Sequence, residues 1–378
     1  MPTYHLSVFP LAAWVRKRID KIHRSFLWKG KAETNGGHCL VSWPLINKPK
    51  DLGGLGIINL EKFSRALRLR WLWRAWRDED HPWQDAPCDR TDRLFFCAST
   101  RVSIGDGRKA KFWHDSWLDG MAPRNLAPHL FELVARKNNP VASELLGDRW
   151  INSVTNKITT TTELVEFVLL WTKIQDVHLQ PGIPDSITWK WTPDGIFSVK
   201  SAYRAQFLGS FRHLKADLIW KARTEPKCKI FAWILLQNKI LTADNLAVRG
   251  WPHQQACTLC SGLLETGLHL CLQCPFAQEV WNQVLAQENF TLPPQVDFTL
   301  FPNIADWWQC AAASFPKDRR RVFNGRLQMV NAIFTSLPTF YMCTFLLQPS
   351  VLKQIGKFRK ICLWRGSDIN GKSKPKAA

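Results

Sequence analysis

Four residues limit what this chain can fold into more than any others: Cys257, Cys260, His269 and Cys274. Two residues lie between Cys257 and Cys260, eight between Cys260 and His269, and four between His269 and Cys274. A Cys-x-x-Cys turn grips one side of a tetrahedral ion, and a His and a Cys a short loop away close the other side. Thiolates and imidazole are the donors zinc prefers. Four protein ligands leave no position for a reacting water, so the motif reads as a structural Zn2+ site. Cys271 competes with Cys274 for the fourth place, although a single residue between it and His269 leaves little chain to wrap an ion. The bland alternative is a group of buried free thiols, since a lone cysteine packs as a small hydrophobe.

The rest of the composition says what body carries that loop. A chain of 378 residues with 46% hydrophobic residues can bury a core and is long enough for two or three domains. Its formal net charge is +20 and it holds 20 Trp residues. Excess Lys and Arg attract polyanions, of which nucleic acid is the commonest large one, and Trp offers faces for bases and for Arg. Trp can equally fill a core, and that alternative stays open here. The 11 cysteines are odd in number and irregularly spaced. With no secretory leader at the start, they point to a reducing compartment, nucleus or cytoplasm, and not to secretion. Residues 327–352 hold no charged side chain, but Pro338 and Pro349 would break a spanning helix. They are expected to be two buried segments, with no membrane partner.

Along the chain, Val15, Ile19, Ile22 and Phe26 recur at helical spacing among Arg and Lys. Residues 61–77 are again helical in pattern, with Phe63, Leu67 and Trp71 on one stripe. Arg65, Arg68, Arg70 and Arg74 on that segment, and Lys227 and Lys229 further on, are the candidate nucleic-acid contacts, although the segment equally fits a core helix with a solvated charged face. The glycines of Pro49-Lys50-Asp51-Leu52-Gly53-Gly54-Leu55-Gly56 lack both phosphate-loop and dinucleotide spacing and predict a tight structural turn. His114 beside Asp115 suggests acid–base chemistry, but no nucleophile accompanies the pair. Ile187, Trp189 and Trp191 alternate with Thr188 and Lys190 as a strand; Thr192-Pro193-Asp194-Gly195 is a turn, and residues 196–199 would be the returning strand of a hairpin. Pro226 opens an apolar helix, Thr242 would cap another that stops at Gly250, and Pro275 opens the helix after the metal motif.

The start of the chain recurs near its end at an offset of 336. Pro2, Thr3, Phe9, Leu11, Val15, Lys17, Ile19, Lys21, Leu27, Trp28 and Gly30 match Pro338, Thr339, Phe345, Leu347, Val351, Lys353, Ile355, Lys357, Leu363, Trp364 and Gly366. Two copies are too few for a solenoid. They suggest two tandem units read as one frame.

Several motifs now fall in one order. Trp28-Lys29-Gly30, the Pro49–Gly56 turn, the helix ending at Trp73-Arg74, and Gly105-Asp106-Gly107 before Phe112-Trp113-His114-Asp115-Ser116-Trp117 resemble the region downstream of the polymerase palm in plant non-LTR (LINE-type) retrotransposon reverse transcriptases. Gly195-Ile196-Phe197-Ser198-Val199-Lys200-Ser201-Ala202-Tyr203, Ile219-Trp220, Pro226-Lys227 and Phe231-Ala232-Trp233 resemble the opening of the zinc-binding domain attached to those enzymes, and Cys257, Cys260, Glu265-Thr266, His269, Cys274 and Trp281 resemble its signature.

The resemblance implies an α+β, predominantly α-helical chain, with a helical zinc-binding domain preceded by a small β-containing connection region. It implies four segments: 1–80, like part of a thumb; 81–185, a connecting region; 186–290, the zinc-binding domain; and 326–378, a truncated second thumb-like copy. RNA or DNA would be the partner, with other retroelement proteins as possible companions. The family's polymerase needs paired palm aspartates for two metal ions. No Asp-Asp pair occurs in this sequence, so the chain is expected not to be an enzyme.

Overall fold

A computed structural model describes residues 3–30, 39–77, 88–154, 157–210, 216–257, 259–260, 262–287, 301–316, 319–328 and 330. The fold is α+β and predominantly helical, with one two-stranded sheet among the described residues. The chain forms two compact units, each discontinuous in sequence. One holds residues 1–21 and 58–209; the other holds 22–57 and 210–378. These bounds differ from the four segments expected from sequence. No unit boundary falls near residue 80, because the Leu60–Arg77 helix packs on the Thr3–Val8, Arg90–Ser99 and Val199–Ala205 helices of its own unit. The C-terminal member of the internal repeat, and nearly all of the uncharged stretch 327–352, lie outside the described residues. Among the described residues no helix is long and apolar enough to cross a membrane.

The first unit is built on helices with explicit starts. Asp89 and Asp92, Thr160 and Glu163, and Ser198 and Ser201 form reciprocal capping boxes that satisfy otherwise orphaned N–H groups. Strand Thr100–Ser103 pairs antiparallel with Ser186–Trp189, with Thr100 opposite Trp189 and Ser103 opposite Ser186. The expected hairpin partner at 196–199 is therefore a correction. The turn forms, with Trp189 N–H donating to the Gly195 carbonyl at 2.7 Å, but Ser198 then caps a helix instead of continuing a strand. Trp189 is buried between Trp73, Phe96 and Phe197. A second cluster gathers Phe112, Trp113, Trp117, Leu130, Trp150 and Leu170.

The loop at 104–110 is held by one carboxylate. Asp185 is buried and accepts from the backbone N–H groups of Gly105 at 2.7 Å, Gly107 at 3.0 Å, Lys109 at 3.1 Å and Ala110 at 2.9 Å. Gly105 is required because a Cβ there would lie 2.1 Å from the Ile183 carbonyl oxygen.

The second unit packs the helices Pro226–Leu236, Pro275–Gln287 and Ile304–Ser314 around Trp233, Trp281, Trp307 and Trp308, all fully buried. Fully burying a large apolar side chain contributes roughly 1.5–3 kcal/mol, so these indoles dominate the unit's core. Nine Trp side chains among the described residues are buried across the two units, the second of the two roles left open by composition. The Pro49–Gly56 turn is structural as expected. Its N–H groups are directed inward, Gly54 to the Pro49 carbonyl and Gly56 to the Lys48 carbonyl, and the Gly53 carbonyl accepts from Trp233 Nε1 at 2.8 Å. A Cβ on Gly54 would lie 2.0 Å from the Lys48 carbonyl oxygen.

Candidate metal centre

The loop carrying the cysteines is shaped before any ion is considered. Cys257 N–H donates to the Leu263 carbonyl at 2.8 Å and Glu265 N–H to the Gln255 carbonyl at 2.9 Å, which closes a narrow β-like turn around the Cys257–Cys260 pair. Leu259 N–H points at the Cys257 Sγ at 3.4 Å. Thr266 then starts the next turn, its Oγ1 accepting from His269 N–H at 3.0 Å. Pro275 opens the following helix, as its fixed φ and missing donor allow.

Between them, His269–Gln273 forms a single π-turn, closed by Cys274 N–H donating to the His269 carbonyl at 2.8 Å. Its geometry decides the fourth ligand. On an α-helix, residues five apart lie about 140° apart around the axis. The wider π-turn reduces that angle, and π-turns recur at functional sites. Cys274 leaves the turn in an extended conformation and its sulfur joins the others. The ligand atoms of Cys257, Cys260, His269 and Cys274 all lie within 4.8 Å of one another. The imidazole Nε2 faces the Cys260 sulfur at 3.3 Å. Cys271 is fully buried outside the group, and its carbonyl accepts from Trp281 Nε1 at 2.8 Å. Of the two cysteines, Cys274 and not Cys271 stands with the other three ligand atoms.

Burial lowers the His269 imidazole, favouring the neutral ring that can give a lone pair, but pushes the Cys257 thiol up to about 11, so that sulfur would shed its proton only as an ion binds. Backbone N–H groups of Gly262 and Leu263 hold the Cys260 thiol below its ordinary value. The far ring nitrogen of His269, Nδ1, is buried without a partner among the described residues. Packing and backbone, not a hydrogen bond to that nitrogen, orient the ring. A tetrahedral ion with about 2.3 Å bonds to sulfur separates its ligands by roughly 3.8 Å, so a small contraction of this cluster would close it. Glu265 is buried and is no exposed base beside the cluster.

The six expected nucleic-acid contacts separate. Arg68 must be withdrawn: it is buried and its guanidinium donates to both oxygens of Asp92, at 2.6 and 2.9 Å, and to the Ser64 hydroxyl at 2.7 Å. It neutralises a fully buried carboxylate 24 residues away and is itself buried, out of reach of a ligand. Arg65 is half-buried, pairs with Glu61 and Asp92 and donates to Gln206. Arg70 and Arg74 lie on the Trp71 ring, at 5.3 and 5.6 Å from its centroid, with Arg74 exposed. Lys227 is exposed and pairs with Glu225, while half-buried Lys229 donates to the Trp220 carbonyl at 3.3 Å. His114 and Asp115 serve structure. His114 Nδ1 takes a hydrogen bond from Arg124 at 2.9 Å, and Asp115 accepts from Lys111 N–H at 2.7 Å.

Two similarities bear on this site. Residues 197–281 match the family model described as zinc-binding in reverse transcriptase, a span that contains all four clustered ligands. An Arabidopsis thaliana protein named "Putative ribonuclease H protein" is 26% identical over 320 residues, covering 76% of this chain. The chain spans about half the length of that relative, 50%. No solved structure matches the chain.

Proposed function

We propose that this chain is a non-catalytic segment of a LINE-type reverse transcriptase polyprotein, whose Zn2+-stapled domain binds RNA or DNA. The observation that carries the proposal is the convergence of three sulfurs and one imidazole inside the span similar to reverse transcriptase zinc-binding domains. Zn2+ would be held by Cys257, Cys260, His269 and Cys274, and with four protein ligands it would supply folding energy, not an activated water. The chain's own contribution is the preformed turn and the neutral imidazole. Nucleic acid would be bound through phosphates and stacking, by Arg70 and Arg74 beside Trp71 and by Lys227 and Lys229. The similarity to a protein named for ribonuclease H supports a setting in nucleic-acid processing. The absence of paired aspartates from the sequence favours an accessory role within such a polyprotein, working in nucleus or cytoplasm with other retroelement proteins.

The test is metal content together with binding. The purified full chain should hold one zinc and bind single-stranded RNA with an affinity that falls linearly with log salt, by about 0.7 per phosphate contact. An isotherm unchanged between low and moderate salt would sink the proposal.

One observation favours a second reading. The buried Trp side chains leave fewer ring faces for bases, as in a zinc-stapled protein-interaction module. Replacing Arg74 and Lys227 by Glu discriminates: RNA affinity should drop about tenfold under the first reading and stay unchanged under the second.

A further inference from the structure

Outside the metal loop, one cleft of the first unit stands apart. It is formed by residues between Val134 and Lys157. It is a cavity of about 400 Å³ lined by Arg136, Arg149 and Lys157 together with Asn139, Asn152 and Glu144.

Its walls are rigid. Arg149 starts a helix, Arg149–Val154, whose Trp150 and Val154 are fully buried. Val134 and Val141, on either side of Arg136 and Asn139 in sequence, are buried as well. Asn139 is fixed twice, its carbonyl accepting from Phe112 N–H at 2.9 Å and its amide donating to Glu144 Oε1 at 2.5 Å. Lys157 Nζ donates to the Leu133 carbonyl at 2.9 Å, which holds its charge at the rim with two further protons to give.

Its charge has no internal purpose. Arg136 and Arg149 are exposed, and among the described residues neither has a hydrogen bond or an ion pair. Contrast Arg68, whose guanidinium is buried and bonded to Asp92 and Ser64 inside the unit. The lining carries three cations against one carboxylate, and that carboxylate is buried and engaged by Asn139. Unpaired guanidinium groups on rigid walls beside amide donors match the oxygens of a phosphate, which Arg binds by two parallel hydrogen bonds.

We propose that this cleft is a phosphate-binding site, taking backbone phosphates of a single-stranded nucleic acid. For that ligand it rests on the nucleic-acid reading above and adds to it a second anchor outside the zinc loop. Free inorganic phosphate carries the same chemistry and would occupy the same groups.

The experiment uses the full zinc-loaded chain, its Arg136→Glu/Arg149→Glu variant, and an Arg108→Glu control, an exposed arginine outside the cleft. Anisotropy of a labelled single-stranded RNA is read against salt, and melting temperature against inorganic phosphate at constant ionic strength. The double variant should melt like the wild type in chloride, bind RNA at least tenfold more weakly, and lose about 1.4 from the salt slope, the share of two phosphate contacts. The control should lose less than half as much in log affinity. If the wild type binds no RNA but is stabilised by phosphate only when Arg136 and Arg149 are present, the cleft stands and the nucleic-acid reading fails. If RNA binding and phosphate stabilisation both survive the double substitution, or neither probe binds, the proposal is overturned.

Discussion

The loop at 104–110 and the loop at 257–274 are both irregular backbone that must hold one shape, and they do so by different means. In the first, the Asp185 carboxylate accepts four backbone N–H groups and completes the loop from within the chain. In the second, backbone bonds shape the turn but leave three sulfurs and an imidazole facing one another across a space of less than 4.8 Å. Those four groups do little for one another until a cation joins them. The first loop is thus self-sufficient and the second conditional. One consequence is that the two units should answer differently to the same perturbation.

Chelation is the most severe test of that difference. Structural zinc contributes roughly 10–16 kcal/mol in small zinc-finger domains, so its removal should unfold the surroundings of residues 257–287. Amide exchange there should rise to near the unfolded rate, while residues 100–103 and 186–189 stay protected. Equal loss of protection in both, or in neither, would break the comparison. Cys274→Ser should reproduce the loss and Cys271→Ser should leave metal content intact, which separates the two cysteines directly.

Asp185→Ala inverts the experiment. Removing the acceptor strands four N–H donors, three of them on buried residues, at a cost of about 3–4 kcal/mol to the first unit. Bound metal should remain unchanged when the variant is assayed below its melting temperature. A smaller loss follows Arg68→Ala, about 3 kcal/mol, because Asp92 would be left charged and buried. Arg74→Ala should cost less than 0.5 kcal/mol and read out only in nucleic-acid affinity. Denaturant midpoints for the pair measure both.

A modest further effect is a pH dependence confined to the first unit. Burial, with Arg124 beside it, lowers the His114 imidazole to about 4. The unfolded chain takes up that proton near pH 6.5 and the folded chain does so only near pH 4. Stability from this group is complete above pH 6.5 and declines as pH falls toward 4. The ring is only half-buried, so solvent screening reduces the effect to about 1 kcal/mol. His114→Gln should flatten the stability profile of the first unit between these limits, and a profile left unchanged would remove His114 from the account.

Much of this was legible in one dimension. The Ala13–Lys29, Leu60–Arg77, Pro226–Leu236 and Pro275–Gln287 helices follow from spacing and from Pro at helix starts. The turn at Pro49–Gly56 follows from its glycines, and the metal-ligand set from Cys-x-x-Cys followed by a nearby His and Cys. The strand pairing was misread because residues 186–189 chose a partner more than 80 positions back over the adjacent segment. Ser198 and Ser201 offered that segment a helix cap, and a local cap prevails over a strand that would form only one side of a short hairpin.

What the sequence determined by itself was chemistry and local form: which side chains could ligate a metal, where helices start, and how strongly the whole attracts anions. The tertiary structure decided the fate of individual charges and sulfurs. Arg68 and Arg74 sit on one helix six residues apart, yet one is buried on Asp92 and the other exposed. Cys271 and Cys274 are three apart, and a single widened turn sends one into the core and the other to the cluster. The reason is that periodicity is encoded between near neighbours, whereas burial and pairing depend on partners brought close only when the chain folds.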